Sequence, residues 1–189
     1  MSAGDHLLVK RRRWFAHYYH HGIDVGNDTV VHFTGSRKKD ATVVESSLNE
    51  FLKGGVKEIW PYSSAFVDLL LAYRRGMQDQ YGRPDPMLPF LDDERIKYIR
   101  ARIEDPEKAV AEARKHVGKK GCDLYSDQGY NLYSNNCEHF AIYCKTGLAL
   151  SIQVIEHVKF YKDLRGPETV VIDIAPPGLT SNWRSWRGP

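Results

Sequence analysis

The chain has 189 residues, an apolar fraction of 42% and a formal net charge of +3, which suits one domain able to bury a sizeable core. The longest apolar segment, Gly147 to Ile155, is broken by Ser151 and Gln153 and followed by Glu156, so it cannot span a bilayer. Three cysteines, Cys122, Cys137 and Cys144, do not make a disulfide framework, and the amino end lacks the apolar core of a signal peptide. The expected setting is therefore the cytoplasm, with any membrane met only at its surface.

From Asp5 to Phe33 the sequence reads as β-structure. A first strand at Leu7-Leu8-Val9 precedes a hairpin, whose arms run from the aromatic stretch Trp14 to Tyr19 through Val25, and from Thr29 to Phe33, around a Gly26-Asn27-Asp28 turn. The basic runs Lys10-Arg11-Arg12-Arg13 and Arg37-Lys38-Lys39 read first as solvated faces. The alternative is peripheral contact with anionic lipid headgroups through Lys10, Arg11, Arg12 and Arg13. No nucleic-acid-binding motif accompanies them, so no specific nucleic-acid partner is expected. Val43-Val44 and Val56 to Trp60 predict two more strands, separated by a short helical or loop segment from Ser47 to Leu52 that ends at Gly54-Gly55. The amino half is thus a small antiparallel sheet.

Helices dominate the carboxy-terminal half. Phe66, Leu69, Leu70, Tyr73 and Met77 recur at spacings of three and four, ahead of the breaker Gly82-Arg83-Pro84-Asp85-Pro86. A second helix is predicted from Asp92 to Ile103. In a third, Asp105 caps, Pro106 takes the first position, Val110, Ala113 and Val117 line one side and Gly118 closes it. After a tyrosine-rich segment from Cys122 to Tyr133, a fourth helix places Cys137, Phe140, Ala141 and Cys144 on one face, with Gly147 at its C-cap. A helical extension to Tyr161, a strand from Glu168 to Ile174 and a Trp-, Ser- and Arg-containing tail complete the chain. No repeat or second domain is visible.

Cys137 carries the strongest chemical signal, because unpaired N–H groups at a helix start favour thiolate and lower a cysteine's pKa. A nucleophilic cysteine needs a base, an orienting partner for that base and donors for the developing oxyanion. His20 and His32 lie twelve residues apart, equidistant from Gly26, and a hairpin centred there sets them opposite one another. By the strand period His17 and His21 face solvent or a loop, His139 packs or caps, and Cys144 packs as a small apolar residue. There is no C-x₂-C pair, and Cys137 with His139 is poor spacing for one helical ligand face, so neither metal nor cofactor is expected. A phosphate-cradling Gly-rich loop is also absent from the sequence.

Asn136-Cys137-Glu138-His139-Phe140-Ala141, then Cys144-Lys145-Thr146-Gly147 and Ser151-x-Gln153, resemble the cysteine block of the lecithin:retinol acyltransferase-like family. Gly4-Asp5-His6-Leu7, His20-His21-Gly22-Ile23-Asp24-Val25-Gly26 and Val30-Val31-His32-Phe33 resemble its amino-terminal block. The likeness covers residues 4 to 153, including Phe51-Leu52-Lys53-Gly54-Gly55 and Tyr130-Asn131-Leu132-Tyr133. It implies an α+β, circularly permuted papain-like fold with an antiparallel sheet packed on the cysteine-bearing helix. On that resemblance residues 1–160 form the catalytic domain, with a helical insertion at about 66–104 and a strand and tail over 161–189. It also implies an acyl-cysteine thioester passed to water, an amine or another acceptor. Carried over residue by residue, Cys137 is the nucleophile, His20 the base and His32 its orienting partner. The Cys137 N–H serves the oxyanion, with Tyr18 and Asn136 as weaker supporting residues.

Three features set this chain apart from the animal members: Asp24 stands where an aromatic residue is common, the insertion is long, and the carboxy-terminal membrane anchor of several members has no counterpart here. The activity implied is a cysteine-dependent acyltransferase or phospholipase A-type hydrolase, with a phospholipid or other ester as acyl donor. The alternatives are a papain-like peptidase or amidase, or a non-catalytic module that binds a protein partner through the insertion at 66–104.

Overall fold

Our computed structural model describes residues 2–13, 16–35, 40–62, 66–68, 70–71, 91–120, 130–131 and 135–155, with backbone alone at 13, 16 and 17. Five strands, His6–Arg13 (β1), Ala16–Gly26 (β2), Thr29–Thr34 (β3), Thr42–Ser47 (β4) and Lys57–Ile59 (β5), form one sheet in the order β4-β3-β2-β1-β5. Every pairing is antiparallel. Around it lie the helices Leu48–Leu52 (α1), Asp93–Ile103 (α2), Pro106–Lys115 (α3) and Cys137–Thr146 (α4). The protein is therefore α+β, as expected. Of the first predicted helix, 66–68 and 70–71 are helical. Met77, the strand from Glu168 to Ile174, Cys122 and the aromatic tail lie outside the described residues, as do Trp14, Phe15 and the run Arg37-Lys38-Lys39.

Helix boundaries follow the capping chemistry. Asp92 and Asp105 accept the main-chain N–H of Arg95 and Lys108 at 2.8 and 3.1 Å, and Pro106 occupies the start of α3. Ser47 and Glu50 form a reciprocal capping box at α1. Gly147 ends α4 with φ at +75°, a left-handed turn that glycine adopts without a Cβ penalty.

Alternation along each strand sends neighbours to opposite faces. On one face Ile23, Val25, Val31, Phe33 and Val43 pack with Ala113 of α3 and Phe140, Ala141 and Cys144 of α4. On the other, Leu7, Val9 and Val30 cover Phe51 of α1. A third apolar cluster joins Ile142 of α4 to Ile99 of α2 and to Phe66, Val67, Leu70, Leu150, Ile152 and Ile155. Helix α4 is thus buried on almost every side, its polar residues Glu138, His139, Lys145 and Thr146 included, as befits a core helix rather than a surface one. Arg102 donates to the Cys144 carbonyl at 2.8 Å, placing a cation at its negative end.

The hairpin register differs from expectation. Ile23 pairs with Val31 and Asp24 with Val30, and a shift follows before Gly26 and Thr29. The centre therefore falls one position later than Gly26, so the register runs Gly22 opposite His32 and leaves His20 on the diagonal. Gly22 is required there for space: a Cβ would stand 2.6 Å from Val30 Cγ1, 2.9 Å from Phe51 Cε2 and 3.1 Å from His32 Cβ. Gly22→Ala is expected to cost about 1–3 kcal/mol, the usual range for overpacking. Equilibrium urea unfolding measures it, and an unchanged midpoint would refute the close fit.

Candidate active site

The consecutive histidines of β2 point to opposite faces of the sheet, and each leads a chain of hydrogen bonds. On the α1 side His20 Nε2 lies 2.9 Å from His32 Nδ1, and His32 Nε2 lies 3.0 Å from Ser46 Oγ. The polarity follows from the far end. With the Ser46 hydroxyl turned toward the Ser47 carbonyl, 3.4 Å away, it is assigned as accepting from His32 Nε2–H, and His32 Nδ1 then accepts from His20 Nε2–H. His20 Nδ1 is left carrying the lone pair, the state a general base requires. Phe51 packs against both rings at 5.4 and 5.2 Å between centroids. Burial lowers the His20 pKa well below its ordinary value, aided by His32, His21, Arg11 and Lys53, and lowers that of His32 to about 4.

Cys137 opens α4. Asn136 Oδ1 accepts the N–H groups of Glu138 at 2.9 Å and His139 at 3.1 Å, and His139 Nδ1 accepts the Asn136 N–H at 3.4 Å. His139 therefore caps, as expected, and Asn136 Oδ1 is committed to the helix end. Among the described residues the β2–β3 ladder ends at Ile23 and Val31. Beyond it the His21 main-chain N–H turns to Cys137 Sγ, which also meets the Cys137 N–H and the Tyr130 hydroxyl. These donors favour thiolate, yet burial outweighs them and pushes the thiol up to about 11. This reverses the expected effect of the helix start: with the residue only 4% exposed, loss of water costs more than the helix end returns. At neutral pH the resting group is a thiol, and reaction demands a base.

A second chain runs on the α4 side. Gln153 Oε1 accepts the Tyr19 N–H at 3.1 Å, which fixes the amide; Nε2 then donates to Glu138 Oε2 at 3.0 Å and to His21 Nε2 at 2.7 Å. His21 consequently carries its proton on Nδ1 and donates to His6 Nε2 at 2.8 Å, and His6 Nδ1–H donates to Tyr62 Oη at 3.0 Å. Glu138, fully buried, also accepts the Ser151 hydroxyl and the Ile152 N–H, the latter at 3.1 Å. Burial raises its pKa, and these donors oppose the rise.

The sequence-derived residues fall into place unevenly. His20 and His32 meet, and Cys137 is brought to the strand that carries His20, touching the main chain of the residue after it. Tyr18 is 42% exposed two residues before His20. His21, expected at the surface, is instead wholly buried, because β2 is an inner strand covered by α4 on the face that His21 occupies. The His17 side chain lies outside the described residues. Arg11 turns inward and donates to the Phe51 and Leu52 carbonyls at the end of α1, while Lys10 and Arg12 are exposed and the Arg13 side chain lies outside the described residues. Asp24 accepts the Gly26 N–H at 2.8 Å and shapes the hairpin end. The second chain, His6, Tyr62, Glu138 and Gln153, was not anticipated. Its signal was the polar pair Ser151 and Gln153 inside the apolar segment Gly147 to Ile155: buried polar groups need partners.

Residues 1–150 match the family model described as lecithin retinol acyltransferase. The chain belongs to the lecithin retinol acyltransferase family. One similar curated protein is Protein LEAD-SENSITIVE 1 of Arabidopsis thaliana, 28% identical over 179 residues, covering 78% of this chain and 58% of that protein. This member of the lecithin retinol acyltransferase family thus spans 58% of the length of the curated relative it matches. No helix among its described residues is long and apolar enough to cross a membrane.

Proposed function

We propose that this protein is a cysteine-dependent acyltransferase or acyl hydrolase working through a thioester on Cys137. The supporting observation is the chain Ser46–His32–His20, which leaves a lone pair on Nδ1 of the residue that precedes His21, whose main-chain N–H meets the Cys137 sulfur. In this reading His20 Nδ1 takes the thiol proton as Sγ attacks an ester carbonyl. The Cys137 N–H stabilises the oxyanion, while the His21 N–H stays on the sulfur. The leaving alkoxide departs with the proton from His20, and water or an amine then enters by the same route in reverse. His32 keeps His20 in the reactive tautomer.

The acyl donor is a phospholipid or a similar ester, approached at the membrane surface with Lys10 and Arg12 facing anionic headgroups. Residues 1–160 form the catalytic unit, with the helical residues 66–68 and 70–71 and α2 as described parts of the insertion at 66–104, and 161–189 an appended tail. Intact-mass measurement after incubation with phosphatidylcholine vesicles is expected to show one added acyl group on the wild-type chain and none on Cys137→Ala. Failure of every ester and phospholipid donor to leave an adduct would overturn the reading.

A further inference from the structure

The Gln153 side chain bonds at once to β2 and to the start of α4. Its carbonyl oxygen takes the Tyr19 N–H, and its amide donates to the His21 ring at 2.7 Å and to the Glu138 carboxylate at 3.0 Å. Its own main-chain N–H reaches Glu138 Oε2 at 3.2 Å. These contacts straddle the place where β2 has left β3 and the His21 main-chain N–H faces the Cys137 sulfur. The β1 ladder holds this segment of β2 within the sheet, with Leu8 opposite His21; the buried amide ties it to the helix start.

We propose that Gln153 is a positioning residue for Cys137. Through His21, and through His6 and Tyr62 beyond it, Gln153 holds the β2 main chain; through Glu138 it holds the first turn of α4. One side chain thereby sets how closely the His21 N–H approaches the sulfur. The proposal rests on the reading of Cys137 as nucleophile, but not on which acyl group it carries. The four-membered chain is fully directed, with each neutral ring donating from Nδ1 and accepting at Nε2. A satisfied buried network of this kind fixes one geometry, whereas a missing member leaves a polar group without a partner.

The test reads the thiol alone, so its failure is separable from failure of the acyl-transfer reading. Iodoacetamide alkylation of Cys137, followed by peptide mass spectrometry across pH, is compared among wild type, Gln153→Leu and Thr146→Ala. Thr146 lies at the other end of α4, its hydroxyl bonded to the Ile142 carbonyl at 2.7 Å and the Leu148 N–H at 3.0 Å. Its substitution loosens the same helix without touching β2. Gln153→Leu is expected to raise the pH midpoint by about one unit and slow alkylation at neutral pH about tenfold, a tenfold smaller thiolate fraction. Thr146→Ala should keep the wild-type midpoint. Equal shifts in both variants, or none in Gln153→Leu, would overturn the proposal. Should Gln153→Leu fail to fold, ¹⁵N spectra of the wild-type histidines decide: Nδ1–H tautomers at both His21 and His6 support it, and an Nε2–H tautomer at His21 removes the Gln153 bond on which it stands.

Discussion

Substituting His20 with glutamine is expected to lower kcat/KM for acyl transfer by about 10²–10⁴-fold, the range that a positioned general base supplies. The effect is large because Cys137 cannot ionise unaided. A thiol raised to about 11 by burial holds only a trace of thiolate at neutral pH, so proton removal must accompany attack. His20 is suited to this because burial and its cationic neighbours Arg11 and Lys53 lower its pKa and keep the ring neutral. Activity that depends on neutral His20 should accordingly persist on the acid side of the ordinary histidine value of 6.5 for as long as the protein stays folded. His32→Gln should lose less, because it disturbs the tautomer of the base without deleting it. Steady-state kinetics on a soluble ester separates the two. If His20→Gln retained more than a tenth of wild-type kcat/KM, His20 would not be the base.

Much of the frame was legible in the sequence because its signals are local. The β-rich runs Leu7-Leu8-Val9 and Thr29 to Phe33, the caps Asp92 and Asp105, Pro106 at a first helical position and Gly147 at a last one each depend on residues a few positions apart. The structure has strands and helices there. What escaped depends on which strand becomes central. A period of two says that His20 and His21 face opposite ways, but not which face α4 will cover, and so the expectation for His21 was solvent when the residue is buried. The register was missed by one position because the shift between Asp24 and Gly26 absorbs a residue at the hairpin end. Helix-end chemistry was legible at Asn136 yet misleading for Cys137, since a sequence displays the unpaired N–H groups of a helix start and hides the desolvation that opposes them.

The buried histidines also make folding strongly dependent on pH. His6 and His139 have pKa values lowered to about 3 and His32 to about 4, and that of His21 lies well below 6.5. Burial is the first cause in each case; the Lys145 ammonium adds to it at His6, Lys53 and Arg11 at His32, and the rings of His6 and His139 at His21. In the unfolded chain each titrates near 6.5. Above that value both states are neutral and full stability is present. As pH falls below it the unfolded chain binds protons that the folded chain refuses, so stability drops until the folded values near 3 to 4 are reached. One unit below 6.5 each of His6, His139 and His32 withdraws about 1.4 kcal/mol, about 4 kcal/mol together, and His20 and His21 act in the same direction. Glu138, with its pKa raised, offsets part of this on the acid side, while Glu112, with its pKa lowered chiefly by the His116 hydrogen bond, adds to the loss only at lower pH. Since a domain of this size is stable by about 5–15 kcal/mol, unfolding is expected between about pH 5 and 5.5 under conditions where the protein is intact at about pH 7.5. Urea midpoints at about pH 7.5, 6.5 and 5.5 measure the slope. A loss smaller than about 1 kcal/mol across that interval would mean that these rings take up protons in the folded state, and the directed chains drawn through His6, His21 and His32 could not then stand.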